Sequence, residues 1–106
     1  MKGRRTALAV EDNGLALRTI FSQVREKGYE VTGVMYDSLE NIPGEHYDLA
    51  IVDGLGGDGI KVLDKIDADR KFLYTGSMAM NAVARNAGYE VHNKTTSLRD
   101  VLGEAR

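Results

Sequence analysis

The sequence has no cysteine, which excludes disulfides and thiolate metal sites together and suits a reducing compartment. It has no excess of positive charge: 14 basic against 16 acidic residues give a net charge of −2, leaving no basic field to collect nucleic-acid phosphates. It also lacks a long apolar run. The basic start Met1-Lys2-Gly3-Arg4-Arg5 leads only into Ala7 to Val10 before Glu11 and Asp12 interrupt, too short for a signal peptide or a membrane span. There is no low-complexity tract, and 42% hydrophobic with 28% charged residues is the composition of an ordinary globular chain. A folded cytoplasmic protein without nucleic-acid or membrane partners is the expectation. With 106 residues, a single domain over 1–106 is expected, with one real core and no room for a second module.

What the sequence does have is an alternation of apolar runs and helical patterns. Thr6 to Val10 reads as a buried strand that ends in a polar loop. From Leu15 to Lys27, Leu17, Ile20, Phe21 and Val24 recur at helical spacing, and Gly28 is a stop. Tyr29 to Val34 alternates with period two, as a strand near a sheet edge does. Ser38 to Ile42 has room for one or two helical turns before Pro43-Gly44, and Asp48 to Asp53 is an apolar run of the kind found in central parallel strands. Beyond a glycine-rich loop, Ile60, Val62, Leu63 and Ile66 predict a short helix, and Lys71 to Thr75 a fourth strand. A further helix runs through Met80 and Val83 to Gly88, Tyr89 to His92 is a short fifth strand, and Ser97-Leu98-Arg99-Asp100 has a capping-box-like spacing that opens a last helix. Strand and helix thus alternate five times. That order predicts an α/β, doubly wound parallel sheet, because each parallel crossover needs a helix to return the chain.

In open sheets of this kind ligands bind beyond the carboxyl ends of the strands. Three acids fall there: Glu11 and Asp12 after the first strand and Asp53 after the third. Gathered carboxylates repel one another unless a cation neutralises them, and an all-oxygen donor set favours a hard cation, magnesium rather than zinc. Thr75 ends the fourth strand and Lys94 follows the fifth. Metal, ammonium and hydroxyl donors around one carboxylate are what phosphoryl transfer to that carboxylate needs.

Over nearly its whole length the sequence resembles the receiver domain of two-component response regulators. Leu8-Ala9-Val10-Glu11-Asp12-Asn13 is similar to the family's acid-pair segment, and Tyr47-Asp48-Leu49-Ala50-Ile51-Val52-Asp53 to its phosphorylation strand. Leu73-Tyr74-Thr75-Gly76 resembles the hydroxyl followed by a small residue, Ala87 to Lys94 the segment that delivers the lysine, and Asp58-Gly59 the opening of the third helix. The resemblance implies a flavodoxin-like five-stranded sheet of order 2-1-3-4-5. It implies Mg²⁺ held by Glu11, Asp12, Asp53 and the Leu55 carbonyl, with Asp53 as nucleophile and Thr75 and Lys94 on the phosphoryl oxygens. It further implies a sensor histidine kinase or histidine phosphotransfer protein as partner. Such a chain is not an enzyme with a separate substrate; it accepts a phosphoryl group and promotes its own phosphorylation and dephosphorylation.

Three departures bear on the output. Lys94 is followed by Thr95 where the family has proline, so a cis bond costing ~2.5–4 kcal/mol is not expected there. The family's aromatic switch position is Val91, and Gly54-Leu55-Gly56-Gly57-Asp58-Gly59 is shorter than the family loop. The third and fourth helices are expected to be short. A pseudo-receiver, signalling by protein contact without phosphorylation, is therefore the alternative; a phosphohydrolase would want an acid where Leu55 stands.

Plainer roles also exist. Glu11 and Asp12 could cap the first helix, Thr96 and Ser97 compete to cap the last, and Met78 and Met80 are expected to pack. Asp58 reads as a helix-start acid and Asp48 as a strand-start acid, neither a metal ligand, and His46 and His92 are assigned no role. The glycine-rich loop lacks the lysine and hydroxyl of a phosphate-binding P-loop and reads as a flexible turn.

Overall fold

The structure, a computed structural model, describes residues 4–103. In chain order these form β1 (Thr6–Glu11), α1 (Gly14–Glu26), β2 (Glu30–Met35), a 3₁₀ turn (Leu39–Asn41) and β3 (His46–Val52). A second 3₁₀ turn (Leu55–Gly57), α2 (Gly59–Lys65), β4 (Asp67–Thr75), α3 (Met78–Asn86), β5 (Glu90–Asn93) and α4 (Leu98–Leu102) follow. All strand pairs are parallel and the order is β2-β1-β3-β4-β5, the doubly wound arrangement expected.

The central strands bury both faces, as their unbroken apolar runs require. Leu8, Val10, Ala50, Val52 and Leu73 face one core, packed against Val62 and Leu63 of α2 and Ala84 of α3. Ala7, Ala9, Leu49, Ile51, Phe72 and Tyr74 face the other, packed against Ile20 and Val24 of α1 and Leu98 of α4. Phe72 is fully buried at the centre of that second core, where truncation to alanine costs about 3–5 kcal/mol.

Helix α1 starts at Asn13, whose side chain accepts from the Ala16 N–H at 3.0 Å. Glu11 and Asp12 therefore do not cap it, because the acids sit one and two residues too early to reach the orphan donors of the first turn. Ser77 caps α3 and Ser97 caps α4, so Ser97 rather than Thr96 takes that role.

The alternation fails once. Between β2 and β3 there is no α-helix, only the single 3₁₀ turn Leu39–Asn41, since Pro43-Gly44 ends helix growth before a second turn can close. Leu39, Ile42, Tyr47 and Tyr36 fill part of the space over the first core, and the Lys65 ammonium donates to the Leu39 carbonyl at 2.6 Å. Glu30, Thr32, Gly33 and Met35 of β2 stay exposed. The predicted third and fourth helices are α2 and α3, short as expected at 7 and 9 residues. Strand β4 is longer than its apolar run: it begins at Asp67, where His46 and Asp67 pair across the ladder. The Lys71 ammonium then serves the last carbonyls of α2, Leu63 at 2.6 Å and Ile66 at 2.9 Å.

Candidate functional site

β1 and β3 are neighbours in the sheet, so the acids at their carboxyl ends meet. Glu11, Asp12 and Asp53 each offer an oxygen within 4.8 Å of the others. Glu11 is the last residue of β1 and is buried, with Oε1 accepting from the backbone N–H of Asp12 at 3.0 Å and of Asn13 at 3.2 Å. Asp12 is exposed. Asp53 sits just past β3, anchored by its own N–H on the Val10 carbonyl, and its Oδ2 accepts from the Leu55 N–H at 3.1 Å.

Lys94 is the hub of the arrangement. Its ammonium lies 2.7 Å from Glu11 Oε2 and 2.9 Å from Asp53 Oδ1. Burial pulls the Lys94 pKa down, but hydrogen bonds and charge from both carboxylates outweigh it and raise the value above the ordinary lysine range. Burial raises the Glu11 pKa, with the Asp53 charge adding to it and the Lys94 hydrogen bond opposing. The lysine backbone also ties in the fourth strand, since its N–H donates to the Thr75 carbonyl at 3.2 Å. The Lys94–Thr95 bond is trans, as are all peptide bonds among the described residues.

Thr75 ends β4 with a buried hydroxyl, which accepts from the Ser77 N–H at 3.3 Å. A cleft of about 350 Å³ opens between it and Asp53, lined also by Gly54, Leu55, Ser77 and Met80. Met80 packs as predicted and extends to the wall of this cleft, whereas Met78, also expected to pack, is exposed at the start of α3. On the other side of Lys94 a cleft of about 370 Å³ runs along α1, lined by Ala16, Ile20, Gln23 and Tyr74 among others.

The loop after Asp53 is tightly built. Leu55 is buried and has φ of 53°, a left-handed conformation uncommon for a residue with a branched side chain. Gly56 and Gly57 continue at φ of 63° and 109°, which makes this a defined turn and not a flexible one. The Leu55 carbonyl accepts from the Asp58 N–H at 3.2 Å, so one of its lone pairs is in use. Gly59 packs so closely that a Cβ there would lie 2.7 Å from the Asp53 carbonyl oxygen.

All six predicted site residues, Glu11, Asp12, Asp53, Leu55, Thr75 and Lys94, therefore lie at one end of the sheet. Their donors are oxygens with one ammonium, which fits a hard divalent cation held by Glu11, Asp12 and Asp53. Sequence reasoning missed Tyr36, whose hydroxyl donates to Asp58 Oδ2 at 2.7 Å. That contact is long-range, and nothing in the local pattern signals it.

A second group lies at the opposite end of the strands. His46 Nδ1 is 3.1 Å from Asp67 and Nε2 3.0 Å from Asp69, with Asp48 beside them. Asp48 stands inside β3, two residues after its start at His46 rather than at the strand's beginning as expected, and its carboxylate accepts from the Thr6 N–H at 2.7 Å at the start of β1. His46 instead has a role that sequence reasoning did not assign: its ring joins β3 to β4. His92 likewise joins Glu90 at 2.6 Å within a cluster that includes Arg70.

No protein-family profile matches the sequence, and no curated protein matches it significantly. Solved structures do match. One is a response regulator protein from Burkholderia pseudomallei with a phosphorylated aspartic acid, calcium ion and citrate, at 22% identity and TM-score 0.72. The match covers 96% of this chain and 66% of that one, so this chain spans slightly under two thirds of its length. A CheY-like response regulator receiver domain protein from Methanospirillum hungatei JF-1 matches at 22% identity and TM-score 0.66, over 94% of this chain and 89% of that one. The chemotaxis protein CheY4 of Vibrio cholerae matches at 14% identity and TM-score 0.63, over 94% of each chain. The fold is that of response regulator receiver domains. Among the described residues no helix is long and apolar enough to cross a membrane.

Proposed function

We propose that this chain is a phospho-accepting receiver of two-component signalling, in which Asp53 takes a phosphoryl group from a histidine kinase or a histidine phosphotransfer protein. The observation that carries this reading is the convergence of Glu11, Asp12, Thr75 and Lys94 on Asp53 at the carboxyl end of the sheet. An Asp53 oxygen attacks phosphorus and becomes the bridging oxygen of an acyl phosphate as the donor's phosphorus–nitrogen bond breaks, the electron pair going to the departing histidine imidazole, which leaves with a proton. The cleft beside Thr75 has room for the incoming group, whose oxygens would take the Thr75 hydroxyl and the Lys94 ammonium as donors.

Glu11, Asp12 and Asp53 would hold a magnesium ion, with the free lone pair of the Leu55 carbonyl as a further donor. When bound, the ion supplies charge neutralisation for the transferring oxygens. Lys94 must then give up Glu11 or Asp53, and its ammonium, which contacts both at 2.7 and 2.9 Å, can release one and keep the other. In this reading the chain promotes its own phosphorylation and dephosphorylation and turns over no other substrate.

A second reading, the phosphorylation-independent pseudo-receiver, is favoured by two features. Lys94 already neutralises the acids without a metal, and Val91 replaces the aromatic that would report on Thr75. Intact-mass measurement separates the two. With Mg²⁺ and acetyl phosphate, wild type gains one phosphoryl group and Asp53→Asn gains none; with beryllium fluoride, only wild type forms an adduct. If wild type gains neither, the pseudo-receiver is right.

A further inference from the structure

The loop from Gly54 to Asp58 donates one backbone group to the acceptor, the Leu55 N–H on Asp53 Oδ2, and its Leu55 carbonyl accepts from the Asp58 N–H at the loop's other end. It contains three glycines and one left-handed leucine, so its own conformational preference is weak. At its near end it is fixed by Asp53. At its far end, the Asp58 carbonyl accepts from the Val62 N–H of α2, but the Asp58 side chain makes no cap bond to that helix. Its carboxylate accepts instead from the hydroxyl of Tyr36, on the same face of the sheet, at 2.7 Å.

Tyr36 is itself tied to the site. It follows β2 directly, and its N–H donates to the Glu11 carbonyl at 2.8 Å. Its ring packs on the first core beside Leu39 and Ile42. One residue thus grips the backbone of the buried acid with its amide and the far end of the acceptor loop with its hydroxyl. It does so where the missing crossover helix leaves only Tyr36 and the residues of the 3₁₀ segment, such as Leu39 and Ile42, over that side of the core.

We propose that Tyr36 is a positioning residue for the phospho-acceptor site, its hydroxyl on Asp58 holding the 54–58 loop in the conformation that presents Leu55 to Asp53. The proposal rests on the phospho-acceptor reading for its consequence, not for its geometry. A hydrogen bond to a charged group is among the stronger ones in a protein, and losing it leaves the far end of the loop to its backbone hydrogen bonds alone, with no side-chain tie to β2.

The test uses Tyr36→Phe, which removes only the hydroxyl, with Asp58→Asn and the double variant. Two readouts are taken on the whole chain: amide hydrogen exchange without metal, and Mg²⁺ affinity from amide shifts. In Tyr36→Phe the Leu55, Gly57 and Gly59 amides exchange about tenfold faster, while core amides of β1 and β3 do not change. The Mg²⁺ dissociation constant rises about tenfold, equivalent to about 1.4 kcal/mol, at unchanged urea midpoint. Asp58→Asn behaves similarly, and the double variant is no worse than either single. Unchanged loop exchange in Tyr36→Phe overturns the proposal, as does an equal acceleration of loop and core amides. If the loop responds but wild type binds no Mg²⁺ and takes no phosphoryl group, the positioning of the loop stands and the phospho-acceptor reading falls.

Discussion

Lys94→Met should be the most destabilising single change at the site, and its size follows from Glu11. The Glu11 carboxylate is 1% exposed, and the Lys94 ammonium at 2.7 Å is the cation that offsets its burial. Without that ammonium Glu11 can escape by taking up a proton. From its ordinary value of 4.5 to pH 7 that uptake costs at most about 3.4 kcal/mol, at about 1.36 kcal/mol per pH unit. The two backbone N–H groups on Oε1 remain and reduce the loss, and Lys94 is about a third exposed, which weakens each pair. A loss of about 2–3 kcal/mol at pH 7 is expected.

The sign with pH is fixed by the direction of the Glu11 shift. Its folded pKa lies above the unfolded value, so the folded state holds the proton more tightly and loses stability as pH rises from 4.5 through the folded value. Removing Lys94, which opposes that rise, deepens the loss at pH 7 and leaves little difference near pH 4, where Glu11 is largely protonated in either variant. Urea denaturation at the two pH values measures this, with about 10 °C in Tm at pH 7 as the thermal equivalent. Lys94→Met/Glu11→Gln should recover most of the stability. A loss under about 1 kcal/mol at pH 7, or equal losses at both pH values, refutes the idea that Lys94 works by neutralising Glu11.

The remaining expectations are shorter. Gly59→Ala places a Cβ 2.7 Å from the Asp53 carbonyl oxygen and 2.8 Å from Leu73 Cδ1, so it should cost about 1–3 kcal/mol in urea. Its acetyl-phosphate reaction should be slower than that of wild type; an unperturbed variant would show that the backbone there has slack. His46 has its pKa raised above 6.5, chiefly by the Asp67 hydrogen bond, so its contribution is present in full below 6.5 and lost as pH rises through the folded value. His46→Gln should flatten that part of the stability curve, and an unchanged slope would place its origin elsewhere. Asp12→Asn, which removes an exposed acid from the cluster, should raise the metal-free melting temperature slightly, whereas Asp53→Asn should not, because Lys94 already pairs with Asp53. The reverse order in calorimetry would contradict the pairing.

Much of this could be read in the sequence because the signals are local. An apolar run that stops at an acid gives both a strand and the place where its acid emerges, so Glu11, Asp53, Thr75 and Lys94 were all assigned to strand ends, where they are found. What could not be read depends on residues far apart. That Lys94 spans Glu11 and Asp53 without metal needs the sheet order. The start of β4 is hidden because Asp67, Ala68, Asp69 and Arg70 carry no apolar pattern and pair through His46 and Glu90. The absent second helix was ambiguous because one turn of helix and one 3₁₀ turn have the same sequence length.

That absent helix has a consequence for how the chain assembles. The crossover from β2 to β3 contributes almost no local hydrogen bonds of its own, and β3 pairs not with β2 but with β1 and β4, so the β1–β3–β4 core has to form from distant contacts. Strand β2 pairs only with β1 and has four of its six residues exposed, so little apolar surface rewards its early docking. The rate-limiting folding event should then involve the central strands, with β2 joining afterwards. In a chevron plot, Val34→Ala should speed unfolding and leave the folding limb nearly unmoved, while Val52→Ala should slow folding.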